Sequence, residues 1–104
     1  MHIEEISPEQ ALVAVDNGSV FIDVREDYEI EEMAYDIKNK LEIPLGDIQK
    51  RLAEFPKDKN IIVACRSGKR SLQACTYLKM NGYSNIQNLS GGIIGWSEAG
   101  FQVK

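Results

Sequence analysis

The chain has 104 residues, of which 43% are hydrophobic and 27% are charged, and its net charge is −4. These values predict one globular domain over residues 1–104 with its own hydrophobic core, and they exclude a disordered or fibrous chain. Residues 1–36 hold eleven of the sixteen acidic residues, whereas residues 37–104 hold eleven of the twelve basic ones, in a scattered arrangement that argues against binding of nucleic acid.

The first third of the chain predicts a helix, a strand and a second helix. A capping box that begins at Ser7 predicts a helix to about Asp16. The apolar run 20–24 follows a glycine turn and predicts a buried strand. Acidic residues between positions 26 and 32 predict a short exposed helix.

The middle of the chain predicts a further helix and strand. Apolar side chains at Ile48, Leu52 and Phe55 have the spacing of a helix, which we place over residues 46–55. A turn leads from there into Ile61–Ala64, which predicts a second buried strand.

The last third predicts another helix and another strand. The helix begins at about Ser71 and closes at Asn81-Gly82, with Leu72, Cys75 and Leu78 expected on its buried face. A short strand from 86 to 89 follows, and we expect Trp96 beyond it to anchor the core. The alternation of strands and helices predicts an α/β fold, with a mainly parallel central sheet covered by helices on both faces.

Cys65 directly follows a predicted strand and precedes a predicted helix. A thiol in this place lies near unpaired N–H groups and the positive end of the helix dipole, and three basic residues follow it closely. Such surroundings lower the pKa of a cysteine towards roughly 3.5–7.5, so Cys65 is predicted to be a nucleophile. We expect Gly68 to adopt a positive φ so that backbone N–H groups can surround the sulfur. The predicted site is the loop Cys65, Arg66, Ser67, Gly68, Lys69 and Arg70.

The compartment and the metal content follow from other features. The longest apolar run falls short of the ~20 residues that span a bilayer, and the N-terminus lacks the pattern of a signal peptide. We therefore expect a cytoplasmic protein with reduced thiols that does not bind membranes. Since His2 is the only histidine and there is no Cys-x-x-Cys pair, we expect neither a metal nor a cofactor.

Five segments taken in order resemble the rhodanese family of sulfurtransferases, and the resemblance covers almost the whole chain. The segments are Asp23–Glu26, Ile43–Ile48, Cys65–Ser71, Gly82–Asn85 and Leu89–Trp96. The resemblance implies a rhodanese-like three-layer fold and transfer of a sulfane sulfur from a donor such as thiosulfate. The sulfur would be held as a persulfide on Cys65 and would pass to cyanide, a thiol or a thioredoxin-like acceptor.

The resemblance also suggests roles around the predicted loop. Arg66 and Lys69 would bind the oxygens of a small sulfur-containing anion, and Arg70 would brace the loop or act on the charge of the thiolate. Asp23 and Arg25 are expected to support the site by an ion pair or turn hydrogen bonds. Residues 35–40 depart from the family pattern, because Tyr-Asp-Ile-Lys-Asn-Lys stands where relatives often have Gly-His-Ile-x-Gly-Ala.

Three alternatives remain open on the sequence. A phosphatase or arsenate reductase is disfavoured, because phosphatase loops carry one more residue between Cys and Arg than the four found here. The chain could instead be a non-catalytic interaction module whose acidic first third binds a basic partner. A redox sensor would use Cys75 as a resolving thiol, although its predicted helix face favours a buried, inert side chain.

Overall fold

The computed structural model describes residues 2–104 and contains five strands and four helices in that range. The strands are β1 (Glu4–Ile6), β2 (Val20–Asp23), β3 (Leu41–Glu42), β4 (Ile61–Ala64) and β5 (Ile86–Leu89). The helices are α1 (Pro8–Asp16), α2 (Asp27–Glu32), α3 (Lys69–Met80) and α4 (Gly92–Glu98). None of these helices is both long and apolar enough to cross a membrane.

The strands form one parallel sheet in the order β1-β5-β4-β2-β3. β4 lies at the centre, and its four residues are all buried, as expected for a strand covered on both faces. Ile61 and Val63 pack in the cluster that includes α3, whereas Ile62 and Ala64 pack in the cluster that includes α1 and α4. The predicted α/β fold with helices on both faces of a parallel sheet is therefore confirmed.

The register of the sheet positions the site. Asp23 at the end of β2 pairs with Ala64 at the end of β4, so the chain leaves both strands at the same edge. In parallel sheets, sites lie beyond this carboxyl edge because the loops that follow the strands converge there. Residue 65 begins the loop at the centre of that edge.

Several local predictions are confirmed. The Ser7 Oγ accepts a hydrogen bond from the Gln10 N–H at 3.1 Å, and the Gln10 side chain accepts one from the Ser7 N–H at 2.9 Å, which completes the capping box of α1. The acidic segment forms the short helix α2. Trp96 is buried in the core.

Three local predictions were incomplete or wrong. β1 was not predicted, because its short sequence Glu-Glu-Ile carries only one buried side chain. Residues 46–55 do not form one helix: two 3₁₀ turns, Leu45–Asp47 and Leu52–Glu54, direct Ile48 and Phe55 into the core. Leu72 was expected to be buried, but 41% of it is exposed, since α3 buries Ser71, Ala74, Cys75 and Leu78 instead.

Candidate active site

Cys65 is the first residue of the loop between β4 and α3. The sulfur accepts a hydrogen bond from the Gly68 N–H at 3.1 Å and another from the Ser71 hydroxyl at 3.3 Å. Gly68 has a φ of +102°, as predicted, and this left-handed conformation turns its N–H towards the sulfur. Cys65 is only 1% exposed and packs in a core cluster, so the candidate nucleophile is buried despite the basic residues that follow it.

Hydrogen bonds control the ionisation of this thiol. Burial acts to raise the pKa of Cys65, but the Ser71 hydroxyl and the N–H groups of Ser71, Gly68 and Ser67 more than offset it and lower the pKa below the usual value. N–H groups near the sulfur were expected, but the Ser71 hydroxyl was not, because the predicted helix began at residue 71, two residues later than α3. Because the helix begins at Lys69, Ser71 lies in its first turn with its side chain facing the sulfur.

The carbonyl group of Cys65 is also held from two sides. It accepts a hydrogen bond from the Tyr35 hydroxyl at 2.6 Å and another from the Ile93 N–H at 3.0 Å. Burial and the charge of Asp23 raise the pKa of Tyr35, which keeps its hydroxyl protonated as a donor. The backbone of the candidate nucleophile is therefore fixed by groups from two distant parts of the chain.

Tyr35 opens the segment that departs from the family pattern, and the structure explains how that segment folds. Asn39 has a φ of +62°, so an asparagine makes a left-handed turn within it. The Tyr35 ring packs edge-on against Phe21 and Trp96, with centroid distances of 4.9 and 5.4 Å. Backbone hydrogen bonds join residues 34–36 to residues 102–104. The C-terminal segment thus holds in place the backbone around Tyr35, which contacts Cys65.

Gly92 allows α4 to pack directly against the cysteine loop. It has a φ of +57°, and a Cβ atom added there would collide with the carbonyl group of Arg66 and lie 2.6 Å from the Ser67 nitrogen. The close approach lets the Ile94 N–H donate to the Arg66 carbonyl at 3.2 Å. The loop is held on its other side by Asn88, whose amide donates to the Gly68 carbonyl at 3.0 Å.

Asp23 and Arg25 form a buried ion pair at the end of β2. Arg25 Nη2 lies 2.8 Å from Asp23 Oδ2, and Arg25 Nε lies 3.1 Å from Asp23 Oδ1. The Arg25 guanidinium also lies 5.3 Å from the centroid of the Tyr35 ring. This arrangement places the ion pair beside Tyr35, and neither residue forms a hydrogen bond with the Cys65 sulfur.

The four remaining residues of the predicted loop differ in exposure. Arg66, Ser67 and Lys69 are exposed, whereas Arg70 is half-buried. Arg70 Nη1 lies 3.0 Å from Glu29 Oε2, which braces the start of α3 against α2. Partial burial acts to raise the pKa of Glu29, but the hydrogen bond and the charge of Arg70 lower that pKa overall. Glu29 is therefore not suited to act as a general acid.

Cys75 is the second thiol and is fully buried on the inner face of α3. Burial raises its pKa to about 12, so it stays protonated at neutral pH. The prediction of a buried Cys75 is confirmed.

Comparisons with known proteins agree with this fold. The family model described as rhodanese-like domain matches residues 7–99. A sulfurtransferase from Allochromatium vinosum is 40% identical over 84 residues, which cover 81% of this chain and 77% of that protein. Thiosulfate sulfurtransferase GlpE from Haemophilus influenzae is 31% identical over 103 residues, with 95% and 92% covered. The crystal structure of a rhodanese-related protein from Thermoplasma volcanium superimposes with a TM-score of 0.86 at 29% identity, covering 97% of each chain.

The chain therefore belongs to the rhodanese-like domain family.

Proposed function

We propose that this protein is a sulfurtransferase that carries a sulfane sulfur on Cys65. The observation that carries the proposal is the set of hydrogen bonds to the Cys65 sulfur, from the Gly68 N–H at 3.1 Å and the Ser71 hydroxyl at 3.3 Å. Donors arranged around one sulfur atom stabilise a thiolate, which is the form of cysteine that attacks other sulfur atoms.

The first half-reaction loads the protein. The Cys65 thiolate attacks the outer sulfur of thiosulfate, the bond between the two thiosulfate sulfurs breaks, and sulfite leaves with that bond's electron pair. The products are the Cys65 persulfide anion and sulfite, so atoms and charge balance without an oxidant. The exposed Arg66 and Lys69 would bind the donor's oxygens by charge-assisted hydrogen bonds. The name of the Haemophilus influenzae relative supports thiosulfate as the donor.

The second half-reaction unloads it. Cyanide or an acceptor thiolate attacks the outer sulfur of the persulfide, which regenerates the Cys65 thiolate and releases thiocyanate or a new persulfide. Because the two substrates react in separate steps through a covalent intermediate, the kinetics should be ping-pong.

Mass spectrometry tests the proposal directly. Incubation with thiosulfate should add the mass of one sulfur atom to the intact chain, and cyanide should remove it while thiocyanate appears. Cys65→Ala should gain nothing. Cys75→Ala is the matched control, because it also removes one thiol but should load normally. An unmodified wild-type chain, or loading that persists in Cys65→Ala, would show the proposal to be wrong.

A further inference from the structure

A cavity of about 510 Å³ lies between α2 and α4, directly beside the cysteine loop. Three large apolar side chains on its wall are exposed: Tyr28 at 65%, Met33 at 40% and Ile94 at 37%. Arg66 also lines this cavity and is joined to α4 through the Ile94 N–H. Exposed apolar side chains that group around one cavity mark a surface that binds another molecule.

The charges around this cavity divide into two groups. Glu32 and Glu98 are exposed on its wall, and neither forms an ion pair within residues 2–104. Over the same range, the exposed cations Arg66 and Lys69 that follow Cys65 are also without ion pairs. Glu29 differs, because its charge is paired with Arg70. Free positive charge therefore lies next to the nucleophile, and free negative charge lies on the α2–α4 side.

We infer that the sulfur acceptor is a protein segment whose reactive cysteine is flanked by basic and apolar side chains; this inference rests on the proposed sulfurtransferase function. The acceptor thiolate would approach beside Arg66 and Lys69, while its flanking cations would contact Glu32 and Glu98. An apolar neighbour of that cysteine would fill the cavity. A small anionic thiol would be attracted by Arg66 and Lys69, but it would leave the carboxylates and the apolar side chains of the cavity without a partner.

The transfer step is balanced. The acceptor thiolate attacks the outer sulfur of the Cys65 persulfide, a bond forms between those two sulfur atoms, and the bond inside the persulfide breaks. Its electron pair returns to the Cys65 sulfur as a thiolate, and the acceptor leaves as a persulfide anion. The acceptor is oxidised by the sulfur it receives, so no further oxidant is required.

The test uses the full chain loaded with thiosulfate and two capped pentapeptides, Lys-Leu-Cys-Phe-Lys and Glu-Leu-Cys-Phe-Glu. The second-order rate constant for unloading is measured at low salt for each peptide. We expect the lysine peptide to react at least about tenfold faster, with a ratio that falls as salt is added. Basic flanks also make the free thiol more reactive, so the decisive quantity is the change of this ratio between protein variants.

Two double variants with equal charge change provide that comparison. Glu32→Lys with Glu98→Lys reverses charge at the cavity, whereas Asp16→Lys with Asp58→Lys reverses it at exposed positions that precede β2 and β4, at the opposite edge of the sheet. We expect the peptide ratio to fall at least fivefold in the first and to stay as in the wild type in the second. The pair Glu32→Gln with Glu98→Gln should give an intermediate ratio.

The outcomes are distinguishable. If the ratio is the same in all variants, or falls equally in both double variants, the docking inference is wrong while sulfur transfer stands. If the wild-type chain gains no sulfur from thiosulfate, intact mass shows this before any peptide is added, and the proposed function fails together with the inference.

Discussion

Replacing Ser71 by alanine tests how this protein ionises its candidate nucleophile. The Ser71 hydroxyl is fully buried and donates to the Cys65 sulfur at 3.3 Å. A hydrogen bond to a charged group contributes about 1.5–3 kcal/mol, and a change of 1 in pKa corresponds to about 1.4 kcal/mol. Loss of this donor should therefore raise the pKa of Cys65, and at a fixed pH below the midpoint it should lower the fraction of thiolate by about ten- to hundredfold.

The direction of the pH dependence follows from the sign of the shift. Folding lowers the pKa of Cys65, so the thiolate stabilises the fold; that contribution is fully present above the unfolded-state pKa and is lost as the pH falls through the folded-state pKa. The rate at which the thiol reacts also falls as the pH drops through the folded-state pKa, which gives the pH–rate curve a lower limb. In Ser71→Ala, this limb should move to higher pH.

The assay is the rate of alkylation by iodoacetamide as a function of pH, with the thiolate absorbance in the ultraviolet as a second readout. Ser67→Ala is the matched control, because the Ser67 side chain is exposed and its contribution to the sulfur is a backbone N–H that alanine retains. The midpoint should stay in place in this variant. A midpoint in Ser71→Ala that equals the wild-type value, or an equal displacement in both variants, would refute the reasoning.

Three further outcomes are expected. Gly92→Ala should lower the free energy of unfolding by about 2–3 kcal/mol in urea titrations, because residue 92 has a positive φ and the added Cβ atom would collide with the cysteine loop. Gly46→Ala is the control and should match the wild type, since a Cβ atom added there meets nothing within 4 Å. Tyr35→Phe keeps the packed ring but loses the donor to the Cys65 carbonyl, so the same titration should show a loss of about 1 kcal/mol. In native protein at pH 8, peptide mapping should find iodoacetamide on Cys65 alone, because hydrogen bonds lower the pKa of Cys65 whereas burial raises the pKa of Cys75 to about 12. Cys75 should react only after denaturation, and its modification in the native state would contradict its raised pKa.

The candidate nucleophile could be located from local sequence. An apolar strand, a short loop with a glycine and an amphipathic helix are each encoded by neighbouring residues, and their order predicts both the parallel sheet and the edge where Cys65 lies. The 3₁₀ turns of residues 45–54 could not be predicted in the same way. Apolar spacing there describes which side chains face the core, and both an α-helix and a series of turns satisfy it.

The family resemblance could likewise be read from motifs, yet the segment that departs from them required the structure. Asn39 adopts a positive φ, which asparagine tolerates better than most residues. Nothing in the local sequence indicates that the Tyr35 hydroxyl contacts a carbonyl 30 residues further along the chain.

The amino-acid sequence by itself determined the order of the elements, the cysteine that follows the central strand and the glycine that turns the loop beneath it, because each depends on neighbouring residues. Tertiary structure decided which groups surround that cysteine. Ser71 faces the sulfur only because α3 begins at Lys69 and packs against the sheet. Tyr35 and Gly92 contact the loop only because the segments on the face of the sheet opposite α3 pack against it. The ionisation of Cys65 therefore depends on how the layers of the fold pack together.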